Sequence, residues 1–145
     1  MILDTESTGL YDGEIVDIAI INHLGKMLLN MLIKPSIVLP PEVTEIHGIS
    51  EVMVADAPTF HEVYPTDAAL KDKRVLIYNS AFDIKILNYC CRLHTLPILK
   101  LAERADCLME WVAQWAGNWS YYHSYYRYVP LNGGHRALLR LHGYF

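Results

Sequence analysis

Two β-rich runs, Glu14–Asn22 and Lys26–Lys34, lie on either side of His23-Leu24-Gly25. Runs of this length around a short glycine-containing turn form an antiparallel hairpin, which commits the first quarter of the chain to a sheet. Met1–Leu3 is expected to add a third strand, cut short at the N-terminus. Pro40-Pro41-Glu42 should open a short helix ending near Gly48, because proline fits a first turn and an acid there favours the helix dipole.

Farther along, Thr59 to about Lys71 has helical composition interrupted by Pro65, which should kink or split it. Arg74–Tyr78 is a short β-rich run. Ala81–Leu93 carries Phe82, Ile86, Leu87 and Cys90 at three-to-four spacing, the mark of a helix with one buried face. Arg104–Leu108 is expected as a fifth short strand, followed by a helix to about Ala116. Gly117–Gly134 reads as a long aromatic loop, and His135 should begin a last helix. Strands first paired and then alternating with helices give an α/β domain with a mixed sheet of about five strands. At 145 residues, the chain has room for one domain.

Composition narrows the function. Hydrophobic residues make up 52%, enough for a core. No apolar run approaches the ~18 residues of a membrane span, and Met1–Glu6 has no basic signal region. Cys90, Cys91 and Cys107 fit no zinc spacing and are expected to be free thiols in a reducing cytoplasm. The net charge of −4 gives no footprint for wrapping duplex DNA, though an enzyme gripping a strand end through cations needs only an acidic pocket. The charge is uneven: no Asp or Glu follows Glu110, whereas Arg127, Arg136 and Arg140 do.

Three short segments carry chemistry. In Asp4-Thr5-Glu6 the two carboxylates, two apart on a strand, point to one face and supply the oxygen ligands that hard cations prefer. Thr8-Gly9-Leu10 follows, with a glycine that lets backbone approach a ligand. Asn79-Ser80-Ala81-Phe82-Asp83 lies between strand and helix; Asn79 or Ser80 can cap the helix, and Asp83 falls in its first turn. Gly133-Gly134-His135-Arg136-Ala137-Leu138 opens the final helix with a histidine able to take a proton near neutral pH. Each signal has a bland structural explanation when taken alone.

In order and spacing these segments, together with Ile46-His47-Gly48-Ile49, resemble the DEDD superfamily of 3′–5′ exonucleases. His135 and Ala137 point to its histidine subgroup, which includes bacterial proofreading epsilon subunits. The likeness runs from residue 1 to about 139. It implies a ribonuclease H-like fold and hydrolysis of phosphodiester bonds with two Mg²⁺ or Mn²⁺ ions. Asp4 would bridge the ions, Glu6 would hold the one carrying the attacking water, Asp83 would support the second, and His135 would act as general base. Thr5, Thr8, Gly9, Leu10, His47, Asn79 and Phe82 would line the substrate site. The substrate would be a nucleic-acid 3′ end, DNA ahead of RNA, released as nucleoside 5′-monophosphates, with a polymerase or repair complex as the partner assembly and no membrane.

One departure matters. The family's third motif has an aspartate five residues after the histidine, and here that residue is Arg140. At ~5 Å and an effective dielectric of ~20, each unit charge pair is worth about 3 kcal/mol, so one metal site should be weakened and activity reduced or lost. The short tail after Leu138 adds the expectation of a chain truncated at both ends. The competing readings are an inactive nucleic-acid-binding module or a remnant of such a nuclease.

Trp111, Trp115, Trp119, Tyr121, Tyr122, Tyr125, Tyr126 and Tyr128 form a dense aromatic segment. It either stacks unpaired bases or packs onto the domain, and the i, i+4 spacing of Trp111 and Trp115 favours packing for that pair. Lys71, Lys73, Arg74, Lys85 and Arg92 read as solvated charges.

Overall fold

The computed structural model describes residues 1–64, 70, 72–130 and 137. A five-stranded mixed sheet forms the centre: β1 (Ile2–Ser7), β2 (Ile15–Ile21), β3 (Met27–Leu32), β4 (Val75–Ile77) and β5 (Ala105–Cys107), in the order β3-β2-β1-β4-β5. β2 is antiparallel to β1 and β3, whereas β4 is parallel to β1 and β5. β1 is therefore the strand at which the sheet changes from antiparallel to parallel pairing.

The β2–β3 turn is built by Asn22, whose Oδ1 accepts the N–H groups of Leu24 (2.9 Å) and Lys26 (3.0 Å). Gly25 takes the positive φ of +73° that the turn requires. Helix α1 (Pro41–His47) has Pro41 at its first turn and ends on Gly48, whose left-handed φ of +72° lets its N–H reach Thr44 O at 2.8 Å. Two single-turn helices follow, α2 (Glu51–Val54) and α3 (Phe60–Val63). The second is fixed by a capping box in which Thr59 and Glu62 bond each other reciprocally. Helix α4 (Ser80–Leu93) and helix α5 (Leu108–Ala116) complete the described helices of more than one turn, and a small hairpin pairs β6 (Trp119–Ser120) with β7 (Tyr125–Tyr126).

Both faces of the sheet are covered. Leu3, Ile18 and Ile20 pack with Ile86, Leu87, Cys90 and Cys91 of α4 on one side. Ile2, Ala19 and Ile21 pack with Ala137 and Leu108 on the other. Strand alternation therefore sends Asp4 and Glu6 to the Ala137 face with Ile2, and Thr5 to the α4 face with Leu3.

Several expectations change. The first strand is longer than Met1–Leu3: it runs from Ile2 through the acids to Ser7, with β2 paired to it across Asp4–Ala19 and Glu6–Asp17. The 117–134 stretch is not all loop, since it holds the β6–β7 hairpin. Trp111 and Trp115 do not pack inward. Trp115 is 88% exposed, and the residue α5 buries is Ala113. Of the helix expected over 59–71, residues 60–63 and 70 are helical; 65–69 and 71 lie outside the described residues.

Candidate functional site

At the carboxyl ends of β1 and β4 a cleft of about 310 Å³ is lined by Asp4, Thr5, Glu6, Leu10, Ile46, Tyr78, Asn79, Phe82, Asp83 and Met109. In α/β sheets, the point where strand direction or connection changes leaves such an opening beyond the strand ends. Seven of the residues anticipated from sequence meet here: Asp4, Thr5, Glu6, Leu10, Asn79, Phe82 and Asp83.

Three carboxylates are nearly sealed from solvent, Asp4 at 1%, Glu6 at 7% and Asp83 at 3% exposure. They arrive from two sides of the sheet. Asp4 and Glu6 project from one face of β1; Asp83 comes from the first turn of α4, on the other face. What joins them is Thr5, whose backbone N–H (3.0 Å) and hydroxyl (2.7 Å) both donate to Asp83 Oδ1. Asn79 occupies the N-cap position of α4 but makes no side-chain cap hydrogen bond.

Three other anticipated residues, Thr8, Gly9 and His47, are not among the lining of the cleft. Thr8 Oγ1 accepts the Glu14 N–H at 2.9 Å, closing the loop between β1 and β2. Gly9 has open space where a side chain would stand, and the tight approach is instead at Gly13, where a Cβ would collide with the Gly9 backbone. His47 is buried with Nδ1 accepting the Ile49 N–H at 3.0 Å, and its neighbour Ile46 is the one that reaches the cleft. His135 and Arg140 lie outside the described residues.

Sequence reasoning missed Tyr78, Met109 and, next to the site, Asp17. Tyr78 donates its hydroxyl to the Val129 carbonyl, and burial pushes its phenol above the ordinary value, which keeps it a donor. Asp17 is 1% exposed, stands directly across from Glu6 in the β1–β2 ladder, and accepts the Ala137 N–H at 3.4 Å through Oδ2. An acid inside the otherwise apolar run IVDIAII was the available signal.

The donor set, oxygen throughout, suits a hard cation such as Mg²⁺ or Mn²⁺. Among the described residues no three His, Cys, Asp or Glu side chains could enclose an ion by themselves. Mg²⁺ takes one or two protein carboxylates and completes its shell with water and phosphate oxygens, and the carboxylates of Asp4, Glu6 and Asp83 at the cleft fit such partial coordination.

The family model described as Exonuclease (RNase_T) matches residues 1–138. The chain belongs to this exonuclease family. Exonuclease CP81 of Escherichia phage 186 is 37% identical over 118 residues, covering 77% of this chain and 61% of that protein. The DNA polymerase III subunit epsilon of Rickettsia felis is 37% identical over 111 residues, covering 71% and 46%. The exonuclease chain thus spans about half to three-fifths of the length of these curated relatives. Among solved structures, Exonuclease X in complex with 5′ overhanging duplex DNA superposes with a TM-score of 0.66 at 28% identity, covering 99% of this chain and 84% of that one. The nuclease domain of 3′hExo, a DEDDh family member bound to rAMP, gives 0.65 at 21% identity, covering 80% and 69%, which speaks to the fold alone. The sheet and helices of this chain are those of the ribonuclease H-like class. No helix among its described residues is long and apolar enough to cross a membrane.

Proposed function

We propose that the chain is a single exonuclease domain that removes nucleotides from nucleic-acid 3′ ends with divalent cations as cofactor. The observation that carries the reading is the meeting of three buried carboxylates, delivered from opposite faces of one sheet, in one cleft. Burying like charges together is costly unless cations enter with the substrate.

In this reading Asp4 and Glu6 hold Mg²⁺ or Mn²⁺, and Asp83, steadied by Thr5, supports a second position from the other side. The bound cations supply Lewis-acid stabilisation of the phosphodiester oxygens and a more acidic water. Leu10, Phe82, Ile46 and Met109 give the terminal nucleotide an apolar seat that excludes bulk water. Asn79 and the Thr5 backbone border the seat. His135, in the position that the family motif gives to a proton acceptor, takes the water's proton; the products are nucleoside 5′-monophosphates. The DNA-bound relative at 28% identity supports DNA over RNA as substrate, and the epsilon relatives, polymerase subunits by name, support a replication or repair assembly as partner.

Arg140 favours a second reading. A cation in place of the fourth carboxylate weakens one metal position, leaving a domain that holds strand ends and cuts them slowly or not at all. Mn²⁺-dependent release of mononucleotides from a 3′-labelled single strand separates the two readings. Activity in the native chain that Asp4→Ala abolishes establishes the enzyme. Activity confined to Arg140→Asp establishes a disabled nuclease. Silence from both, with a cooperative melt, overturns the exonuclease reading.

A further inference from the structure

We propose that the β6–β7 hairpin is a stacking platform for the unpaired bases of a single nucleic-acid strand leaving the carboxylate cleft; this rests on the exonuclease reading and names the form of its substrate. Three rings of the hairpin form a ladder of nearly parallel planes. His123 stacks on Tyr125 with centroids 5.4 Å apart and planes at 21°, and Tyr125 on Tyr128 at 5.9 Å and 18°. Tyr125 and Tyr128 keep about half their surface in solvent, and Tyr121 and Tyr122 at the tip are 91% exposed.

The occupant follows from charge and position. All sixteen Asp and Glu of the chain precede residue 111, so the hairpin carries none, while Arg127 sits between the stacked tyrosines in sequence. A hairpin with an arginine, half-exposed rings and no acid of its own suits a polyanion whose bases stack, with Glu110 of α5 the acid that lines the groove beside Tyr125 and Tyr128. Tyrosine, tryptophan and arginine also anchor protein interfaces; what favours a strand here is continuity with the carboxylate cleft. The platform is also tied to the cleft. The Tyr78 hydroxyl, on the cleft wall, bonds the Val129 carbonyl one residue beyond Tyr128. One end of the ladder is thus anchored to the cleft wall, and the proposed path of a strand whose 3′ nucleotide lies among the carboxylates runs onto it.

The test is binding, kept apart from cleavage by EDTA. Fluorescently labelled oligo-dT of about 2, 4, 8 and 12 nucleotides is titrated by anisotropy into the native chain, Tyr125→Ala, Tyr128→Ala and the double variant Tyr125→Phe with Tyr128→Phe. The expected result is affinity that rises between the dinucleotide and the octamer. Each alanine change should cut octamer affinity by at least about fivefold, the effect of losing one stacked base, while the phenylalanine variant binds like the native chain. Equal binding of dinucleotide and octamer, or of native and alanine variants with unchanged melting temperatures, overturns the platform. So does sedimentation showing a native dimer that either alanine change dissociates, since a second copy would then occupy the face. Failure of nuclease activity with the length-dependent binding intact overturns the enzyme reading and leaves the platform standing.

Discussion

Thr5 directs both of its hydrogen-bond donors, the backbone N–H at 3.0 Å and the hydroxyl at 2.7 Å, to a single oxygen of Asp83. The pair is buried and bridges 78 residues of sequence, so one threonine sets where the helix-borne carboxylate stands relative to the strand-borne ones. Hydrogen bonds to an ionised group are worth about 1.5–3 kcal/mol. Thr5→Val keeps the shape and the backbone bond but removes the hydroxyl. Urea denaturation should show a loss of about that size, and an unchanged midpoint would show that the hydroxyl contributes nothing.

Asp4 and Glu6 share a face with Asp17, which stands across the ladder from Glu6. Asp4 is diagonal to Asp17 across the ladder, and like charges so placed cost up to about 1 kcal/mol, so in EDTA Asp4→Asn should melt up to about 4 °C above the native chain. With Mn²⁺ the order should reverse, because a cation at 100 times its Kd adds about 2.7 kcal/mol to the native chain alone. Thermal melts with and without Mn²⁺ check both halves, and an equal Mn²⁺ response in the two proteins would remove Asp4 from the metal site.

Asp17 accepts the N–H of Ala137, itself fully buried. Asp17→Ala leaves that donor without its carboxylate, at about 1–3 kcal/mol, while Asp17→Asn retains an acceptor oxygen. Amide exchange at Ala137 should quicken in the first variant and stay near native in the second. Identical exchange in all three proteins would show that the contact is not maintained in solution.

Gly13 faces the Gly9 backbone so closely that an added Cβ has no room. Gly13→Ala should destabilise by about 1–3 kcal/mol, the usual range for overpacking, and shift the loop that carries Leu10 into the cleft. Gly9→Ala, with open space at the same test, should cost less than Gly13→Ala in paired denaturation curves.

Burial pushes the Cys90 thiol up to about 11, and Cys91 moves the same way for the same reason. A folded-state value raised above the unfolded one means that the unfolded chain releases its proton first as pH climbs. The contribution to stability is complete below about pH 9 and is lost as pH rises through about 11. Native Cys90 should also resist alkylation at pH 8 until denaturant is added; rapid labelling of the native chain would contradict its burial.

The hairpin was legible because its strands and its turn are signalled by neighbouring residues, with Asn22 and Gly25 supplying the local chemistry. The cleft was legible as a set of residues but not as an arrangement. Asp4 and Glu6 look like the solvated end of a short strand until β2 is known to pair with them, and that pairing depends on Ala19 and Asp17, farther along the chain. Thr8 and His47 were grouped with the substrate site by resemblance; Thr8 Oγ1 accepts the Glu14 N–H and His47 Nδ1 the Ile49 N–H, contacts that sequence alone does not show. Trp111 and Trp115 have the spacing of a buried helical stripe, yet α5 turns Ala113 to the interior. Spacing identifies a shared face, and only the neighbours decide which way the face points.

The strand order β3-β2-β1-β4-β5 also sets a timetable. The three strands on one side come from the first 32 residues and pair through short connections, while β4 and the helix bearing Asp83 must close a span of more than 70 residues onto β1. Contacts of low sequence separation form faster, so two acids of the cleft are in place before the third docks. Tight cation binding then belongs to the finished chain and not to its early half, which makes metal uptake a clock for the last long-range step of folding.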